Sequence, residues 1–126
     1  MTIDPQLSAR AQAAATQLMS DVKGIKAVVI ATEDGYEVAS QATSLAQTSR
    51  LSAMASSFSA LGALVGEESS LGECNNVIVD ASEGLIVILQ VRHPSLNLTM
   101  CVVTGRDSVI GQVLYYSKLA AAGLAA

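Results

Sequence analysis

Few residues of this 126-residue chain have the type and spacing that bond-making chemistry requires. The single histidine, His93, stands next to Pro94 between two strand-like runs. A zinc site draws on several Cys or His ligands at set spacings, so a lone histidine here reads as a surface turn residue. Cys74 and Cys101 are far apart in apolar or strand-like surroundings, and free thiols in a reducing compartment are their expected state. Serines are numerous, yet no G-x-S-x-G elbow occurs and no base can be assigned to any of them. The acidic pairs Glu33-Asp34 and Glu67-Glu68 fall in expected turn or loop positions. Solvated carboxylates there lack the distinct, partly buried environments of an acid/base couple. Neither a G-x-x-x-x-G-K-[ST] phosphate loop nor a G-x-G-x-x-G fingerprint is present. Arg50, Arg92 and Arg106 are each of the type that can steady a phosphoryl-transfer transition state, but arginines beside turns and caps are mostly solvated. The pattern argues against an enzyme, and no cofactor or metal is expected.

The bulk composition points instead toward association. Apolar residues make up 51% of the chain and charged residues only 14%, against a usual charged share of about a quarter. That surplus is hard to hide in one small globule. The net charge is −4, and the seven basic residues are scattered rather than gathered into a stripe. With no aromatic stacking platform either, nucleic acid is not an expected partner. The amino-terminal Met-Thr-Ile-Asp-Pro has no basic segment followed by an apolar one, so no secretory signal is expected. The longest uncharged run is too short and too rich in serine to span a bilayer. A cytoplasmic protein without membrane insertion is therefore expected, with residues 1–126 forming one domain.

Residues 4–22 carry a helix pattern. Asp4 can cap it, Pro5 suits the first helical position, and Ile3, Leu7, Ala11, Ala14, Ala15, Leu18 and Val22 form one stripe. Residues 25–31 form a β-branched apolar run expected to be covered on both faces. A turn over residues 32–35, with Gly35 at the position needing positive φ, leads to a second strand at 36–40. Residues 41–47 are a polar connection, and Thr48 or Ser49 is the expected cap of a central helix. A charged loop is expected over residues 67–73, punctuated by Gly66 and Gly72. Three strands follow at 76–81, 85–92 and 96–104. In the last, Leu96, Leu98, Met100 and Val102 face one side, and Asn97, Thr99, Cys101 and Val103 the other. Asp107 or Ser108 is the expected cap of a final helix, with a stripe of Val109, Ile110, Val113, Tyr116 or Ser117, Ala120 and Leu124. Its alanine-rich tail is expected to fray. Two antiparallel blocks with helices between and around them define an α+β sheet layered by helices.

The central helix, residues 50–66, carries no charge between Arg50 and Glu67. Leu51, Met54, Ala55, Phe58, Leu61, Gly62 and Val65 recur at the spacing of one buried face. The other face offers Ser52, Ala53, Ser56, Ser57, Ser59, Ala60 and Ala63. Two readings are open: a serine-rich solvated face, or a helix covered on one side by its own sheet and on the other by a second subunit. The second is preferred. Gly62 and Gly66 have the small-xxx-small spacing that permits close helix approach. Residues 76–81 form an expected edge strand whose Val77-Ile78-Val79 run invites pairing with another chain.

In this layout the chain resembles the Roadblock/dynein light chain domain family over nearly its whole length. The likeness is carried by the run from Gly24 to Ile30, by Asp34-Gly35-Tyr36-Glu37-Val38-Ala39, and by Leu51-Ser52-Ala53-Met54-Ala55 through Leu61-Gly62. It continues in the hairpin from Val77 to Val87 and in Ile110-Gly111. The resemblance implies a five-stranded antiparallel sheet between helices, and a homodimer in which edge strands pair and central helices pack together. It further implies a non-enzymatic platform. Bacterial members regulate or recruit small Ras-like GTPases and can stimulate hydrolysis by reshaping the GTPase; eukaryotic members scaffold GTPase complexes or dynein cargo attachment. On that footing Leu51, Met54, Phe58 and Leu61 are expected to supply core and dimer contacts, with Val77 and Val79 on the pairing edge. Ala53, Ser57 and Ala60 are the expected partner-facing rim. The alternative is a small-ligand sensor, or an adaptor module for a kinase or motility complex.

Overall fold

Asp4 opens the first helix, α1 (Pro5–Asp21), by accepting a hydrogen bond from the Gln6 backbone N–H at 2.9 Å. Leu7, Ala11, Ala15 and Leu18 form its buried stripe, and Val22 continues it, as the periodicity predicts. The structure, a computed structural model, describes residues 3–43 and 48–126. Part of the polar connection expected over 41–47 lies outside the described residues.

Strands β1 (Ile25–Thr32) and β2 (Glu37–Ala42) form a hairpin. Its turn is held by Thr32, whose hydroxyl donates to Asp34 Oδ1 at 2.6 Å and accepts from the Tyr36 N–H at 3.0 Å. Gly35 sits at φ +94°, a region an L side chain resists. After helix α2 (Thr48–Glu68) come β3 (Asn76–Ala81), β4 (Gly84–Arg92), β5 (Asn97–Gly105) and helix α3 (Ile110–Ala125). All five strands pair antiparallel in the order β2-β1-β5-β4-β3. The expected α+β class and element order hold, and β3 lies at an edge.

The register sorts the side chains into two layers. Val28, Ile30, Val87, Leu98, Met100 and Val102 meet α1 and α3 on one face, in the main core. Val29, Ile88 and Cys101 meet Ala55 of α2 on the other, with Leu51, Val77, Ile86 and Val103 around them. β1 is consequently buried on both faces apart from Lys26. The alternation expected along β5 is the one found.

The last helix differs from expectation in three respects. Val109 occupies its cap position without a side-chain hydrogen bond. Ser108 donates instead to the Lys23 carbonyl at 2.9 Å, tying the helix entry to the end of α1. Val109 and Ile110 lie exposed, and the inward stripe runs through Val113, Ser117, Ala121 and Leu124. The alanine-rich tail is docked rather than frayed, because Leu124 is buried and the Arg10 guanidinium donates to the Gly123, Leu124 and Ala126 carbonyls. Among the described residues, no helix is long and apolar enough to cross a membrane.

Candidate protein interface

Helix α2 is 21 residues long, roughly 31 Å at 1.5 Å per residue, and lies on the sheet face opposite α1 and α3. It turns its small residues inward. Ser52, Ala55 and Gly66 are buried, with Leu51, Ser56, Ser59 and Gly62 half-buried beside them. Ser56 donates to the Glu33 carbonyl, and Gln90 donates to the Ser59 hydroxyl at 2.8 Å. A Cβ on Gly62 would stand 2.7 Å from Val77 and 2.9 Å from the Cys74 sulfur, and one on Gly66 would run into the Gly72 carbonyl. The two glycines therefore seat the helix against its own strand β3 and the following loop.

The large apolar residues point the other way. Met54 is 48% exposed, Phe58 40%, Leu61 56% and Val65 60%, so the expected assignment of faces is reversed for these four. The physical reason is separation. Helical spacing identifies a stripe but not the gap available to it, and apart from Leu51 the helix fills this gap with Ser, Ala and Gly. Of the residues expected to supply core and dimer contacts, Leu51 alone stays against the core; Met54, Phe58 and Leu61 are on the outside.

The helix also runs past Gly66, so Glu67 and Glu68 belong to its last turn rather than to a loop. It ends where the Leu71 N–H returns to the Gly66 carbonyl at 2.9 Å and the Ser70 N–H to the Glu67 carbonyl at 3.1 Å. Ser70 takes the left-handed conformation at φ +57° that glycine usually supplies in such a termination. At the other end Thr48 and Ser49 are already helical, so neither is the expected cap.

Between the exposed flank of α2 and the start of β3 runs a groove of about 640 Å³, lined by Phe58, Leu61, Val65, Leu71, Cys74 and Val77 among others. Phe58, Leu61 and Val77 are thus brought together. Val79 continues along the edge strand, paired with Ile86 on its inner side only. Met54 lies further toward the start of the helix. Leu71 also stands exposed on the groove wall, and Leu64 stands exposed outside the groove. The signal for Leu71 is local: it is an apolar residue directly after the left-handed Ser70, just past the last turn of α2. Ala53, Ser57 and Ala60 are all exposed on α2 and none of them lines the groove. Ala53 abuts the β1–β2 turn, where its Cα would lie 3.3 Å from a Cβ on Gly35. The exposed Tyr36 ring stands at the end of the same turn.

Glu73 and Cys74 are the titratable groups that line the groove. Arg92 pairs with Glu73 at 2.9 Å, and Arg106 braces the β3–β4 hairpin through the Ser82 and Ala81 carbonyls. His93 takes the Ser95 N–H at 3.2 Å on Nδ1 and so closes its own turn, as expected of a turn residue. Both cysteines are free, Cys74 half-buried and Cys101 buried. Desolvation pushes the Cys101 thiol up from 9.0 to about 12, which keeps it protonated and unreactive.

This architecture recurs in solved structures. The Roadblock/LC7 domain from Streptomyces avermitilis superposes with a TM-score of 0.80 at 18% identity, over 90% of this chain and 92% of that one. Myxococcus xanthus MglB gives 0.85 at 15% identity, over 99% and 92%. The gliding protein MglB from Thermus thermophilus gives 0.84 at 11% identity, over 99% and 93%. No curated protein is detectably similar in sequence. The Roadblock/LC7 domain pattern matches residues 11–103, from the middle of α1 to the end of β5, and the chain belongs to that family.

Proposed function

We propose that this chain is a non-enzymatic homodimeric scaffold that binds a small Ras-like GTPase and modulates its GTP hydrolysis. The observation that carries the reading is the apolar flank of α2, continuous through the groove with the unpaired edge of β3 and, among the described residues, left uncovered. A run of large apolar residues on one flank of a helix costs solubility unless protein lies against it. The flank and edge supply self-association through Met54, Phe58, Leu61, Val77 and Val79. Ala53, Ser57 and Ala60, with the β1–β2 turn beside them, then remain free to meet the GTPase. The small side chains let a second protein approach the helix backbone closely. A motility-complex adaptor is the second reading, favoured by the gliding protein among the structural neighbours.

Light scattering at micromolar concentration is expected to return about twice the 12.9 kDa chain mass; a clean monomer overturns the dimer. The purified dimer is then mixed with a small Ras-like GTPase loaded with a non-hydrolysable GTP analogue. Capture is expected for the wild type and lost in Ala60→Glu, whose circular dichroism stays unchanged. Capture that ignores both the nucleotide and the substitution favours the adaptor.

A further inference from the structure

The helices on the two faces of the sheet are held to it with unequal force. From α1 and α3 the chain buries Leu7, Leu18, Val113 and Leu124, and hydrogen bonds from Arg10 and Ser108 tie the two together. Helix α2, 21 residues long, contributes a single fully buried apolar side chain, that of Ala55, beside Ser52 and Gly66. Burial of apolar surface is the main force that keeps an element in place, so the α2 seam is the weaker one. Among the described residues two side-chain hydrogen bonds bridge α2 to the rest of the fold, Ser56 to the Glu33 carbonyl and Gln90 to Ser59. On opening, each is exchanged for bonds to water at small net cost.

The helix gains little from its own sequence either. Ser52 and Ser57 donate to the carbonyls of Thr48 and Ala53, four residues back, in bonds that compete with the helical ladder. Gly62 and Gly66 lie within it, and each weakens a helix relative to alanine. Arg50 stands in the first turn and Glu67 and Glu68 in the last, where the partial charges of the helix ends repel them. A helix of such a sequence is not stable alone in water, so off the sheet α2 unravels.

We propose that α2 leaves the sheet as a unit while α1, α3 and the five strands stay folded, and that a second copy on its apolar flank holds it shut. The opening stands on the unequal burial alone; the closing step rests on the homodimer reading above. Opening uncovers the side of the sheet that carries Val29, Ile88 and Cys101. It also dissolves both surfaces that α2 presents, the flank of Met54, Phe58 and Leu61 and the rim of Ala53, Ser57 and Ala60. A copy binds the closed chain and not the open one, so dimerisation draws the equilibrium toward a seated helix and an intact rim. Dimerisation and partner capture then reinforce each other through the order of one helix rather than through shared contacts.

Hydrogen exchange read by mass spectrometry tests both halves. In dilute solution, where the chain is monomeric, α2 amides are expected to exchange on the order of a hundredfold faster than those of β1 and β5, which are interior to the sheet and need global unfolding. Val113→Ala, a truncation in the α1–α3 core, separates this from unfolding in one step. It weakens the closed and the α2-open chain alike, so β1 and β5 speed up on the order of ten- to a hundredfold while α2 keeps its wild-type rate. An α2 that speeds up as much as the strands overturns the opening. Once the dimer predominates, a hundredfold rise in wild-type concentration is expected to slow α2 exchange about tenfold, because the monomer fraction falls as the square root of concentration. Exchange in α2 that ignores concentration, although light scattering shows a dimer, overturns the closing step and leaves the homodimer standing. A chain that stays monomeric at every concentration overturns the homodimer and the closing step together, and the Val113→Ala comparison still decides the opening.

Discussion

Under α1 and α3 the chain buries its large side chains: Leu18, Ile30, Leu98, Met100, Val102 and Val113 are sealed from solvent. Across the sheet, α2 buries Ser52 and Ala55 and leaves Met54, Phe58, Leu61 and Val65 outside. Both helical layers are apolar, and both meet the same five strands. They differ in the volume that the helix–sheet gap accepts. Where the gap is wide, Leu and Val fill it and the chain closes its own core. Where Gly62 and Gly66 bring the helix close, large residues have no room inside and turn outward. A face closed by large residues serves stability; one closed by small residues frees the large ones for another protein.

The sharpest way to break that contrast is a pair of truncations. Leu98→Ala, on the α1–α3 face, is expected to cost about 2–5 kcal/mol at any protein concentration, because it opens a cavity in a sealed core. Phe58→Ala should change the stability of the separate chain by no more than about 0.5 kcal/mol, as for other exposed positions. Its effect is expected to appear only at concentrations where the wild type dimerises. Thermal melts across a hundredfold concentration range separate the two behaviours; equal, concentration-independent losses would erase the distinction between the faces.

The two cysteines sharpen it next. Cys101 faces α2 inside the core and its thiol is raised to about 12. The unfolded thiol, near 9.0, loses its proton first, so the unfolded chain binds fewer protons than the folded one above that pH. The stability Cys101 contributes is complete below pH 9, and is lost as pH rises toward 12. Cys101→Ala is expected to flatten that part of the alkaline unfolding curve. Cys74 is half-buried on the groove wall and should take a thiol reagent at pH 8 while Cys101 does not. Its labelling should slow as the protein concentration rises. Labelling of both at equal rates would show that neither the core nor the groove protects its thiol.

Most of the architecture was legible because strands announce themselves. The two-sided apolar run of β1 and the alternation along β5 follow from a period of two, and each strand lies within a residue or two of its expected place. The stripe of α1 was readable for the same kind of reason, with a cap and a proline to mark its start. The face of α2 was not, because a period of 3.6 reports which residues share a side and not which side meets the sheet. The end of α2 was hidden too: Gly66 looks like a stop but lies beneath the Gly72 carbonyl, and the left-handed turn is made by Ser70. At α3 the expected caps had other work, since Ser108 serves the Lys23 carbonyl. The edge strand was visible in the sequence, and the groove, which depends on the exposed face of α2, was not.

The smallest effect concerns the exception to the rule that separates the two faces. Ser117 lies on the α1–α3 side, fully buried in the inward stripe of α3, and its hydroxyl has no hydrogen-bond partner. On the α2 face the serines at the contact are matched, Ser52 by the Thr48 carbonyl and Ser59 by Gln90. A buried hydroxyl without a partner loses its hydration and receives nothing in exchange. Ser117→Ala removes the oxygen, leaves a gap of about one small atom, and favours the helix by intrinsic propensity. The gain is expected at about 1 kcal/mol, read as a higher Tm with the dimer constant unchanged. Ser59→Ala, by contrast, strands the Gln90 amide and should lower the Tm. If both substitutions moved the Tm the same way, polar residues would be serving the two faces alike, and the contrast would reduce to side-chain size alone.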